Sequence, residues 1–167
     1  MEPSGLFRAF REDHAVLGRG FFEISAHLRS GHVAGARDRA ERLDREAGSH
    51  IGFEEAVLYP ALRRLLGDTE VDRLYQEHGE GLAVIRGLGA LPNDATLSED
   101  ERLGLLRRSE AMESHVAECS ELFGLMGRIP PGEQAALYGA LRKWRDEAPR
   151  WTALGNESRT GRAQSPA

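Results

Sequence analysis

Cysteine is nearly missing from this chain. Its 167 residues include one, Cys119, so no disulfide can form within the chain and any metal site must lean on histidine and carboxylate. Lysine is equally scarce, with Lys143 the only one, and arginine carries the basic charge without implying a function. Long apolar runs are missing as well. Nowhere do 18 consecutive apolar residues occur, and Met1 to Phe10 holds no apolar stretch behind a basic one, so neither a membrane span nor a secretory leader is expected. Nor is there a basic surplus: 22 Lys and Arg stand against 27 Asp and Glu, which removes the electrostatic footprint of a nucleic-acid binder. These absences predict a cytoplasmic protein with no nucleic-acid or membrane partner, and leave its oligomeric state open.

What is present is helical periodicity. Apolar residues recur three and four apart and no stretch alternates as a strand would, so the chain is read as all-α. A first helix is predicted from Gly5 to Arg29, with Ser4 as N-cap and Gly31 as its stop. A second runs from Val33 to Leu66, kinked or ended by Pro60 and closed by Gly67. A third reaches from Asp68 to Leu88. The fourth opens with Ser98 and Glu101, spaced as a capping box, and continues to Gly127. Four apolar seams of this kind fill one up-and-down four-helix bundle over residues 1–129. Beyond Pro130-Pro131, residues 130–155 hold a short amphipathic helix, Glu133 to Arg145, expected to pack on the bundle. Residues 156–167 are polar and aperiodic, and are read as a disordered tail.

Each main helix carries one histidine on its apolar seam: His14, His50, His78 and His115. In an up-and-down bundle, residues on neighbouring helices are level when they lie equally far from the turn between them. The midpoints of successive pairs fall at residue 32, at residue 64 and between residues 96 and 97, each in or beside a predicted break. The four imidazoles are therefore expected in one layer. A single seam histidine is usually a satisfied core residue. Four buried together would each need a partner, at about 1–3 kcal/mol for every group left without one, and a bound metal serves them all. His27 and His32 fall off the layer and are read as solvated.

The spacing His50-x-x-x-Glu54 puts an imidazole and a carboxylate on one helix face a turn apart. Buried glutamate is rare unless paired or liganded, and a carboxylate can bridge two cations, so this set fits a di-iron centre. Glu55 points about 100° away on a regular helix and is expected on the solvated face.

These residues resemble the hemerythrin-like (HHE cation-binding) family. His50 to Leu62, HIGFEEAVLYPAL, is similar to its H-x-x-x-E-E-x-x-L-[FY]-P signature, with the helix-one histidine in REDHAVL and the helix-three histidine in YQEHGEGL. The resemblance implies two non-haem iron ions, oxo- or carboxylate-bridged, held by His14, His50, Glu54, His78 and His115. It also implies a small diatomic or peroxide as reaction partner. Helix four departs from the pattern: HVAECSELFGL has Cys119 where a glutamate belongs. Either Glu118 turns in as the replacement carboxylate, or Cys119 lines the pocket and leaves the second iron under-coordinated. Glu118 is preferred, because a buried cysteine is usually an inert small hydrophobe and a thiolate at such a centre would be oxidised. Tyr75, three residues before His78, either reaches the site or packs beside the core. The expected function is binding of, or reaction with, dioxygen, peroxide or nitric oxide, as a peroxide-decomposing enzyme if the chain is an enzyme. The alternatives are an oxygen- or iron-sensing module and a helical interaction module with a zinc-filled or vestigial site.

Overall fold

A computed structural model of the chain describes residues 5–154, apart from the side chains of Ser120 and Phe123, so the expected N-cap Ser4 and the tail lie outside the described residues. Every regular element among the described residues is helical, and none is a strand. Helix α1 spans Gly5–Arg29 and helix α2 spans Val33–Phe53, as the breaks in the sequence require. Gly31 makes the turn between them at φ +72°, a left-handed conformation that costs glycine no Cβ clash.

The predicted second helix differs from a single kinked rod. Its regular α part stops at Phe53, one π-helical turn covers Glu54–Leu58, and α3 resumes over Tyr59–Leu66 with Pro60 in its first turn. In the wider spacing the Tyr59 N–H bonds to the Glu54 carbonyl five residues back. Pro60 has no N–H to offer the next carbonyl, that of Glu55, and the Tyr75 hydroxyl donates to it instead. The proline effect is thus absorbed one turn earlier than expected, inside the segment that carries Glu54.

Helix α4 spans Asp68–Gly89 and α5 spans Glu99–Glu118. The capping box at the start of α5 is formed in both directions: Glu101 N–H donates to Ser98 Oγ at 3.2 Å and Ser98 N–H donates to Glu101 Oε2 at 2.8 Å. Replacing Ser98 by Ala removes one arm and is expected to cost about 1 kcal/mol, read as a lower denaturant midpoint with an unchanged m-value. The predicted fourth helix is divided at Cys119, after which α6 spans Ser120–Met126. Helix α7 spans Pro131–Glu147, and a 3₁₀ turn, Trp151–Ala153, follows.

Helix α1 packs on α2 and α5, and α4 packs on the same two, which closes a ring around the interior. Two large apolar clusters fill it, with a smaller one of Tyr59, Val71, Leu74 and Tyr75 beside them. One holds Leu17, Phe21, Ile24, Leu43, Ile51, Leu82 and Ile85; the other holds Leu6, Phe10, Phe53, Leu58, Leu62, Cys119 and Leu122. Helix α7 lies on α1 and α2, and the chain after it goes deeper. Three glycines make room for α7 and this segment: a Cβ would stand 1.8 Å from the Pro149 carbonyl oxygen at Gly48, 2.5 Å from the Trp144 ring at Gly52 and 2.7 Å from the Trp151 ring at Gly81. Trp151 is wholly buried in the first cluster. None of the described helices is long and apolar enough to cross a membrane.

Candidate metal centre

The four seam histidines, all buried, come from α1, α2, α4 and α5. His14 and His50 have ring centroids 4.5 Å apart, and those of His78 and His115 are 5.1 Å apart. Glu54, at the start of the π turn, stands between the pairs. Its Oε1 lies 3.1 Å from His50 Nε2 and 3.6 Å from His14 Nε2, while its Oε2 lies 3.1 Å from His78 Nε2.

The orientation of the rings is fixed from outside. His14 Nδ1 donates to the Phe10 carbonyl at 2.8 Å, His50 Nδ1 to Asp13 Oδ2 at 3.0 Å, His78 Nδ1 to Glu55 Oε1 at 3.0 Å, and His115 Nδ1 to Glu77 Oε2. Every one of these partners is an acceptor only, so each Nδ1 carries the hydrogen. Nε2 is the atom left on the ring's other side, the arrangement by which outer partners orient metal-bound histidine. Three of the four acceptors come from a neighbouring helical segment. The expectation of a solvated Glu55 is therefore corrected: the π turn places it 1% exposed against His78.

A second tyrosine also matters more than the one singled out from sequence. Tyr75 does not reach the centre; its hydroxyl is taken by the Glu55 carbonyl and its ring packs edge-on to Tyr59. Tyr59 does reach it, with Oη 3.2 Å from Glu54 Oε2 and 2.9 Å from His78 Nε2. It stands at the [FY]-P position of the signature, so the signal was present without a role attached to it.

Glu118 is not brought to the group. Cys119 continues the buried seam at 2% exposure, which turns the preceding residue outward, and Glu118 is 60% exposed facing Arg73 at 3.5 Å. The expected replacement carboxylate is thus not at hand, and Cys119 Sγ instead lies 3.6 Å from His115 Nε2. His27 and His32 stay off the layer, ring against ring at 5.0 Å, the first half-buried and the second exposed.

Charge makes the centre unlike the surrounding core. Burial opposes ionisation of Glu54, but the charge of His50 and the closeness of His78 and His14 hold its carboxyl well below the usual range. Burial likewise works against a charged His50 and His78, yet Glu54 with Asp13 for the one and Glu55 for the other raises both to about 9. His14, buried and beside His50, is lowered to about 4 and stays neutral. Burial, reinforced by Glu54, pushes the Tyr59 phenol and the Cys119 thiol up.

The donor set suits a cation. His14, His50 and Glu54 each offer one atom within a span of 4.8 Å. Two donors about 2.1 Å from a shared ion sit about 3.0–3.4 Å apart, close to the 3.1 and 3.6 Å spacings around Glu54 Oε1. Although near each other, His50 Nε2 and Glu54 Oε1 are out of hydrogen-bond alignment and have no hydrogen-bond partner among the described residues. Buried polar atoms in that condition are costly, and a shared ion satisfies both.

The model of the hemerythrin HHE cation binding domain matches residues 6–126. The chain belongs to this family. As a hemerythrin HHE protein it is a cation-binding protein, and the buried His14, His50 and Glu54 fit that property. No curated protein and no solved structure matches the chain. The matched span ends before α7, so the Trp151 segment and the contacts of α7 with α1 and α2 lie outside it.

Proposed function

We propose that the chain is a non-haem iron protein on a hemerythrin-like four-helix scaffold, holding two iron ions and reacting with dioxygen, peroxide or nitric oxide. The observation that carries this reading is the set of four imidazoles, each with Nδ1 held by an outer acceptor, around a carboxylate whose two oxygens face different histidines. His14, His50 and Glu54 would hold one ion; His78 and His115, with Tyr59 beside them, would meet the second, with Glu54 between the two. Bound iron supplies an electron-rich centre that can take up a small diatomic or peroxide. The protein's part is to orient the imidazoles, to keep a negative counter-charge at Glu54 and to bury both among apolar side chains.

One observation favours a second reading. The Cys119 thiol beside His115 replaces an oxygen donor by a softer one, as in zinc sites, which suits a zinc-filled sensing or interaction module.

Metal analysis of protein from iron-sufficient cells, with an ultraviolet–visible spectrum before and after peroxide, separates the two. The iron reading expects about two irons per chain and a near-ultraviolet absorption that peroxide changes; a full complement of zinc overturns it. Within the same experiment His50→Ala is expected to lose most of the metal, while His32→Ala, off the layer, keeps it. Equal losses would remove the ligand assignment.

A further inference from the structure

Helix α7 reaches the centre through a chain of charged contacts. Arg145, in its last turn, donates from Nη2 to Asp13 Oδ1 at 2.8 Å and to the Ala9 carbonyl at 3.3 Å, with Glu12 Oε2 at 4.0 Å. The other oxygen of Asp13 accepts from His50 Nδ1 at 3.0 Å. Asp13 stands next to His14 in the chain but serves His50 on the neighbouring helix, so its side chain must cross between α1 and α2 to do so. The guanidinium holds the far oxygen while the imidazole takes the near one.

We propose that Arg145 is a positioning residue of the cation centre: by fixing the Asp13 carboxylate against His50 Nδ1, it sets the orientation and donor strength of His50 Nε2. The inference rests on the reading that His50 is a ligand. The role is specific to this residue for two reasons. The family match stops at residue 126, so Arg145 lies outside the matched span and reaches the outer partners of the histidines from beyond it. The counterpart on the opposite side, Arg73 against Glu77 and so against His115, also binds Glu70 and faces Glu118, which would hide the consequence of removing it.

Arg145 acts on Asp13 as a charged donor: it limits rotation of the carboxylate and so keeps one of its oxygens on His50 Nδ1. Loss of an outer partner of a metal-bound histidine typically weakens metal binding by about 10–100-fold. Asp13 touches His50 directly and belongs at the upper end; Arg145, one contact further out, belongs near the lower.

The test is cobalt(II) binding to the full chain, measured by competition with a chelator and by the visible spectrum of the bound ion. R145Q is expected to weaken cobalt about tenfold and to shift the visible bands. D13N should weaken it more, and the R145Q/D13N double variant should be no weaker than D13N alone, because both changes break the same chain of contacts. R145K, which keeps the charge, should recover most of the loss. It also serves as a second variant if R145Q folds poorly. Additive losses in the double variant would mean that Arg145 acts on α7 packing and not through Asp13, and overturn the inference. So would R145Q binding cobalt as the parent does, or R145K showing no recovery. A parent protein that binds neither cobalt nor iron would overturn the metal reading itself, a separate outcome.

Discussion

Glu54→Gln is expected to abolish high-affinity cation binding, with a loss exceeding the roughly 100-fold upper range for outer partners of a metal ligand. The carboxylate is 1% exposed and is approached within 3.6 Å by three histidines, and its charge favours the protonated form of two of them. An amide of the same shape removes the counter-charge and points two N–H donors toward groups that need an acceptor. The metal-free protein should suffer as well, since removing one partner of a buried ion pair costs about 3–5 kcal/mol. Metal titration and denaturant unfolding of the chelated protein check the two halves. A variant that takes up the full complement of metal would show that Glu54 is only a neighbour of the centre.

The contrast with Glu55 shows which parts of this centre were legible in the sequence. One seam histidine per helix, level with its neighbours, can be read from spacing alone, because regular helices convert residue number into height and face. His50 and Glu54 lie within that regular stretch or at its edge. Glu55 and Tyr59 do not: the π turn begins at Glu54, and from there the face assigned by 100° steps is no longer the face occupied. Cys119 ends a helix that periodicity carries through to Gly127, and its burial decides that Glu118 faces Arg73.

The outer partners follow a rule visible only after folding. Asp13 precedes His14 yet holds His50, Glu55 follows Glu54 yet holds His78, and Glu77 precedes His78 yet holds His115. An acidic residue adjacent to a site residue lies some 100° round the helix, at the seam with the next helix, and so reaches across to a partner ring. Nothing in the linear pattern distinguishes it from a solvated charge.

Asymmetry is the other consequence. Around Glu54 Oε1 the donors are two imidazoles and a carboxylate, a compact set. On the Oε2 side are His78 and a phenol, with His115 turned toward a thiol. An ion on the first side has three protein donors at hand, while one on the second depends on softer or more weakly acidic groups. Stepwise metal loading, with the first equivalent bound more tightly than the second, is the behaviour this difference implies under the proposed function.

Trp151→Ala is expected to be the most damaging substitution outside the centre, at about 3–5 kcal/mol, the usual cost of emptying a fully buried large aromatic site. The segment that carries Trp151 follows the predicted amphipathic helix, Glu133 to Arg145, and Pro149 interrupts it. Its burial is specified elsewhere, by the small residues that receive it. Gly81 leaves space against the indole and Gly48 against the Pro149 carbonyl, while the buried Asp44 accepts from Thr152 N–H at 2.8 Å, from Thr152 Oγ1 at 2.9 Å and from Arg150 at 3.3 Å. With Trp151 gone, the first apolar cluster loses the ring that packs edge-on to Phe21 at 6.0 Å and lies 6.4 Å from that of His78. The Asp44 contacts then hold a strap with nothing under it. Asp44→Ala is for that reason expected to be less harmful in the Trp151→Ala background than alone, by more than the roughly 0.5 kcal/mol within which independent sites add. Denaturant unfolding of the two single variants and the double variant measures this coupling. A Trp151→Ala cost below about 1 kcal/mol, the range of a surface change or a lost helix cap, would mean that residues after α7 merely cover the helices and contribute nothing to their core.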